Sequence, residues 1–320
     1  MPRYRDQLPQ LSDDRFLTPG GLETTLVYVD KVDLPCFASF VLLNDDSGRA
    51  RLRDFVQPYF SIAEQARAGL ILGTVTWRAN PEWGQRVGYS LDELAEANLR
   101  AVNLCAEIRE QAAHPAVRMP ISACVGPRGD GYRVDKQMSV EEAADYHRWQ
   151  IEVFRDSEAD FVTGATMSYA AEAAGIALAA KAAGIPAVIS FTIETDGRIP
   201  DGSTLGEAIS QVDEATGAAP AYYMVNCAYP DHLREAAEQE GTEPAGAWVE
   251  RLRGFRANAS KRSHAELDGS QQLEQGNPAE FGTDCLRLLD SFPTINVFGG
   301  CCGTDHRHVE AIGQAWDARG

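Results

Sequence analysis

No run in the sequence approaches the ~20 consecutive apolar residues of a membrane-spanning helix, so no membrane partner is expected. Positive charge is scarce. There are 29 Lys and Arg against 47 Asp and Glu, a formal net charge of −18 over 320 residues. A surface of that sign repels phosphate and disfavours nucleic acid and anionic membranes as partners, although much of the charge also serves as plain solvation. An apolar targeting core is missing too. Residues 1–15 carry Arg3, Arg5, Asp6, Asp13 and Asp14 rather than the h-region of a signal peptide, which leads us to expect a cytoplasmic location. The seven cysteines are odd in number and do not read as a secreted disulfide framework. No Gly-x-Gly-x-x-Gly follows the first apolar run, so a dinucleotide-binding open sheet gains no support. Domain linkers and low-complexity tracts are lacking, and residues 1–320 are expected to form a single domain.

What is present is an alternation of short β-branched runs with longer amphipathic ones. Eight strands are predicted: Phe16–Gly21, Leu70–Thr76, Met119–Val125, Asp160–Thr166, Ala187–Ile193, Ala221–Cys227, Leu252–Ala257 and Thr294–Phe298. Nearly continuous apolar runs of this length suit parallel strands covered on both faces. Between them, Ser90-x-x-Glu93, Ser139-x-x-Glu142 and Thr204-x-x-Glu207 read as capping boxes that open helices. The Ala-rich segment ending at Ala183 is stopped by Gly184-Ile185-Pro186. Eight strand–helix repeats favour a closed (β/α)8 TIM barrel of the α/β class. The longer polar segments Asn80–Tyr89, Pro127–Gln137, Asp196–Ser203 and Lys261–Asn277 then fall on the C-terminal face, where active sites of such barrels are built.

Chemistry concentrates at two strand ends. Gly299-Gly300-Cys301-Cys302-Gly303-Thr304 follows the last strand, and Val225-Asn226-Cys227 closes the sixth. Three thiolates meeting across the barrel mouth suit a tetrahedral Zn2+ with one position left for a substrate, the arrangement of a catalytic zinc. Three cysteines used as buried apolar filler, or one of them as a nucleophile beside a histidine, are the competing readings. His306 and His308 are expected to open the last helix, capping it or facing solvent. Cys36, Cys105, Cys124 and Cys285 read as core or partly buried thiols, with Cys124 directed into the barrel. His114, His147, His232 and His264 receive no role.

Gly20-Gly21-Leu22-Glu23-Thr24-Thr25-Leu26, Val225-Asn226-Cys227 and Gly299-Gly300-Cys301-Cys302-Gly303-Thr304, in that order, resemble the zinc-dependent homocysteine S-methyltransferase family. Its members include betaine- and S-methylmethionine-type enzymes. Ser122-Ala123-Cys124-Val125-Gly126-Pro127, and Ser190-Phe191-Thr192-Ile193 with Asp201-Gly202, add supporting likeness. The resemblance implies a zinc held by Cys227, Cys301 and Cys302. It also implies transfer of a methyl group from a small sulfonium or ammonium donor to a thiol, with homocysteine as acceptor and methionine as product. Gly21, Glu23, Trp77, Glu194 and Asn226 are the candidate substrate-binding residues. Trp77 or Tyr169 would offer an aromatic face to a cationic donor. The partners are then a small-molecule thiol and a methyl donor. The number of copies per assembly is left open, a homo-oligomer included.

Two positions depart from the family pattern. Pro19 stands where Asp commonly precedes the Gly-Gly pair, and Gly164 is aligned with a carboxylate usual after the fourth strand. Either Glu23 or Glu194 replaces those acids, or the acceptor is a thiol without an α-ammonium group. A zinc-binding barrel without turnover is a further alternative. Asn258 is expected to keep the polar role of a Tyr-Pro-Asn stretch whose Tyr and Pro are absent here.

Overall fold

Parallel strands dominate the computed structural model, which describes residues 1–112, 114–134, 136–239, 247–268, 270 and 272–319. Of the polar segments named above, positions 135, 269 and 271 lie outside the described residues. The strands are β1 (Phe16–Thr18), β2 (Gly69–Leu70), β3 (Leu72–Gly73), β4 (Ile121–Val125), β5 (Phe161–Met167), β6 (Ala187–Thr192), β7 (Tyr222–Ala228), β8 (Leu252–Ala257) and β9 (Val297–Gly300). Their order in the sheet is β2-β1-β9-β8-β7-β6-β5-β4-β3, with every pairing parallel. The two outermost segments are separated by Ile71 alone. They act as one strand whose lower half pairs with β1 and whose upper half pairs with β4, so the sheet closes on itself. The result is the expected (β/α)8 TIM-barrel architecture, with helices between successive strands on the outside.

The second predicted strand is therefore broken, and the last is displaced. Asn296 spends its side-chain amide on the carbonyls of Gln10, Ser12 and Asp14. Thr294 turns its hydroxyl to the carbonyls of Val249 and Leu252. These residues tie down the barrel floor, and ladder pairing begins only at Val297. The three expected capping boxes are all formed, opening helices Leu91–Gln111, Val140–Arg155 and Leu205–Thr216. Helix Ala170–Ala183 ends on Gly184 in the left-handed conformation, φ 69°, which a glycine adopts at least cost.

Strand alternation sorts the apolar residues into two layers. Leu17, Val162, Ile189, Val225 and Phe298 pack outward in the large core with the helices. Phe16, Ile71, Phe161, Val188, Tyr222, Met224 and Val297 point into the lumen and fill its lower half, closed from below by Leu8. The upper half of the lumen opens into a cavity of about 670 Å³ at the C-terminal ends of the strands.

Candidate metal centre

Cys227 closes β7 in a conformation that few non-glycine residues adopt, φ 57°. Thr166, two strands away in β5, is also left-handed at φ 63°, an uncommon state for a β-branched residue. Both lie at register shifts of their strands, between Ala165 and Met167 and between Asn226 and Ala228. Such bulges re-aim side chains at the rims of barrels. Asn226 ties the two together. Its Oδ1 accepts from the Thr166 N–H at 3.0 Å and from the Ser190 hydroxyl at 2.6 Å. Its Nδ2 donates to Thr166 Oγ1 at 2.9 Å and to Cys227 Sγ at 3.1 Å.

The paired cysteines arrive from the other side of the mouth. The Cys301 N–H donates to the Ala257 carbonyl at 2.7 Å, and the Cys302 N–H to Asn258 Oδ1 at 3.0 Å. Asn258 thus anchors the backbone of the paired cysteines. Gly303, at φ 80°, turns the chain immediately after the pair. Gly21 lets the loop after β1 approach, since a Cβ there would sit 2.3 Å from the Cys301 carbonyl oxygen. The three sulfurs of Cys227, Cys301 and Cys302 consequently lie within 4.8 Å of one another. Among the described residues no His, Asp or Glu joins this group. None of the seven cysteines forms a disulfide.

The electrostatics divide the three thiols. Cys301 is held well below the usual thiol range, because Cys227 and Cys302 both donate toward its sulfur. Cys227 is pushed up to about 12 by donating to Cys301 and by burial. The chemistry of the donor set fits Zn2+. A tetrahedral ion with Zn–S near ~2.3 Å needs sulfurs about 3.8 Å apart, which falls inside the 4.8 Å that bounds the cluster.

A family model described as homocysteine S-methyltransferase matches residues 17–316. The chain belongs to the homocysteine S-methyltransferase family. It is similar in fold to the homocysteine methyltransferase MmuM from Escherichia coli. Against the oxidized form the TM-score is 0.74 at 19% identity, covering 98% of this chain and 99% of that one. Against the metallated form it is 0.71 at 20% identity, with 97% of each chain covered. No curated protein sequence matches the chain. No helix of the described residues is long and apolar enough to cross a membrane.

The other expected site residues of this homocysteine S-methyltransferase family member divide by position. Pro19, Gly21, Glu23, Trp77, Glu194 and Asn226 all line the cavity. Glu23 accepts from the Ser39 hydroxyl at 2.7 Å, and burial raises its pKa above the ordinary carboxylate value. Glu194 is bound to His264 Nδ1 at 2.7 Å, which lowers its pKa. Trp77 donates its indole N–H to the Ala165 carbonyl at 3.3 Å, but the Arg78 guanidinium already covers its ring at 3.9 Å. Tyr169 does not reach the cavity. It is buried outside, where its hydroxyl accepts from the Met138 N–H at 3.2 Å.

Two expectations need correction. Gly164 is not a vacated acidic position of the site, because a Cβ there would point at Ile189 and Ile176 between sheet and helix. Its neighbours Thr163 and Ala165 face the cavity instead. Cys36 is exposed, whereas Cys105 and Cys285 are buried and Cys124 lines the cavity. For His308 the capping alternative holds: it is buried, its Nδ1 accepts from the Asp305 N–H at the helix start and its Nε2 meets the Gln275 carbonyl.

Two site residues were missed. The Tyr132 hydroxyl donates to Cys227 Sγ at 3.4 Å. Its ring lies 4.4 Å from that of His264, whose Nε2 sits 2.6 Å from the Cys227 carbonyl. Burial opposes protonation of His264, but Glu194 and that carbonyl outweigh it and raise its pKa. Tyr132 comes from the loop after β4 and His264 opens the short helix His264–Asp268 after β8, with no local pattern beyond those positions to announce them.

Proposed function

We propose that this chain transfers a methyl group from a small sulfonium or ammonium donor to the thiol of homocysteine, giving methionine, with zinc held by Cys227, Cys301 and Cys302. The observation that carries the reading is the convergence of three sulfurs, from two distant strand ends, with no His, Asp, Glu or further Cys joining them among the described residues. When bound, zinc would supply a Lewis acid that keeps an acceptor sulfur as thiolate near neutral pH. The chain's residues do the rest. Asn226 donates to the Cys227 sulfur and holds both bulges in place. Tyr132 donates to the same sulfur from above. Glu23, Trp77 and Glu194 face the space where substrates enter.

In the transfer, the donor's methyl–sulfur or methyl–nitrogen bond breaks and its electron pair stays with the departing neutral donor. The acceptor thiolate supplies the pair for the new S–CH3 bond. Opposite charges are neutralised, so a cavity that hydrates the onium ion poorly favours the step. The same reading places residues 1–320 in one barrel unit serving methionine biosynthesis in the cytoplasm.

The test is a methylation assay on the purified chain. Homocysteine is offered with S-methylmethionine, S-adenosylmethionine or betaine, and zinc is measured by metal analysis. About one zinc per chain is expected, with methionine formed from at least one donor, lost on chelation and restored by zinc. Methionine formed undiminished after complete zinc removal would overturn the metal reading. No product from any donor, with zinc in place, would overturn the enzymatic one.

A further inference from the structure

The acids lining the cavity all have partners. Glu194 is bound to His264, Glu274 to Ser260 and Arg262, and Asp130 to the N–H groups of Tyr132 and Arg133. Glu23 accepts from Ser39. Arg78 is wedged between the rings of Trp77 and Trp83 and donates to the Gly129 carbonyl. Arg256 differs. Its Nε donates to the Gly300 carbonyl at 3.3 Å. Its two Nη atoms have no hydrogen-bond or ion-pair partner among the described residues, and neither is sealed from the cavity.

The register places this guanidinium beside the sulfurs. In β8, Arg256 is paired with Asn226, the neighbour of Cys227, and with Gly299, two residues before Cys301. Gly254, on the same inward face, brings no side chain of its own, and Met224 fills the space where its Cβ would stand. The long Arg256 side chain thus rises from the packed floor into the cavity. This wall runs beside the cysteine cluster, within the same cavity that a thiol bound at the sulfurs would occupy. A guanidinium offering two free N–H ends recognises a planar anion through two parallel hydrogen bonds.

We propose that Arg256 is the carboxylate-binding residue of the acceptor site, so that the chain selects thiols carrying a carboxylate a few carbons from sulfur. The inference rests on the methyltransferase reading for the identity of the acceptor, but not for the binding itself. The competing role for Arg256 is to balance the charge of the sulfur cluster, for its charge also acts on Cys301 and Cys124.

Four thiols of matched length separate the two roles. Homocysteine carries both head groups, 4-mercaptobutanoate only the carboxylate, 3-mercaptopropylamine only the ammonium and 1-propanethiol neither. Their dissociation constants are measured by calorimetry on the zinc-loaded chain without donor, in wild type, Arg256→Gln and Arg256→Lys, with zinc content alongside. Arg256→Gln should weaken homocysteine and 4-mercaptobutanoate by about tenfold to a hundredfold. The other two thiols should move less than about twofold, and zinc content should hold. Arg256→Lys, which keeps a charge but loses the planar fork, should fall between. An equal loss for all four thiols, or loss of zinc, would assign Arg256 to the sulfur cluster and overturn the proposal. Unchanged binding of the two carboxylates would overturn it as well. If wild type binds these thiols with the stated selectivity but methylates none, the methyltransferase reading fails and the carboxylate site stands. If no thiol binds, both fail.

Discussion

The lower and upper halves of the barrel lumen are built by the same strands with the same alternation, yet they do opposite things. Below, Phe16, Val188, Tyr222 and Val297 interdigitate with exposures of 1% or less. Above, the inward positions of the same strands change to Thr18, Ser190, Asn226 and Gly299, and the walls separate into a cavity. The lower layer has no functional group to position and fills space. The upper layer gives up that packing and holds its shape with hydrogen bonds. Its backbone is bent at Thr166 and Cys227 into a conformation that would not persist without the Asn226 bridge. Stability and chemistry are thereby assigned to different heights of one sheet.

The separation can be broken most sharply at the sulfurs. Cys302→Ala removes one of three thiolates from the cluster. We expect zinc affinity to fall by about two orders of magnitude or more, since outer-shell changes alone cost about tenfold to a hundredfold. Methyl transfer should go with it, while the thermal unfolding midpoint of the metal-free chain moves little. Cys105→Ala, in the outer core, is the control and should leave metal content alone. Metal analysis and a thermal melt decide the matter. Full zinc occupancy in Cys302→Ala would remove the cluster from the metal site.

The converse change acts on the floor. Phe16 is fully buried against Gly69, where a Cβ would sit 2.1 Å from its ring. Phe16→Ala should cost about 3–5 kcal/mol, the range for an aromatic deleted from a packed core. Denaturant titration reads that loss. The fraction that stays folded should still bind zinc in full proportion, because the sulfurs stand a layer higher. A matching loss of zinc affinity would show that floor and mouth are one cooperative unit.

How far the sequence announces each layer follows from the same division. The floor and the outer core are legible because burial on both sides leaves continuous apolar runs, and capping boxes mark where helices begin. The cysteines are legible because their residue type and flanking glycines have few other uses at a strand end. What the sequence hides is which way a residue points where the ladder slips. Gly164 lies one position from Ala165, and a one-residue offset exchanges the cavity for the helix layer. The bulges at Thr166 and Cys227 follow from no local propensity, since they depend on an amide reaching across two strands. Tyr132 and His264 are invisible for a different reason. They belong to segments over a hundred residues apart in sequence, and only closure of the barrel lays one ring against the other.

The smallest effect lies at the rim, beyond both layers. His232 is buried, accepting from the Tyr229 N–H at Nδ1 and meeting the Lys261 carbonyl through Nε2. Burial lowers its pKa below 6.5, outweighing the Lys261 carbonyl and the acids Glu235 and Asp231, which favour the charged ring. The sign then follows from proton linkage. Below pH 6.5 the unfolded chain takes up a proton that the folded chain still refuses, so stability falls with pH until the folded pKa is passed. His232→Gln removes that contribution and leaves every other titrating group in place. Urea midpoints measured from pH 7 to pH 5 should therefore decline less steeply in the variant than in the wild type. Parallel declines would mean that the histidine accepts its proton as readily in the fold as in the open chain, with the rim loops yielding around it.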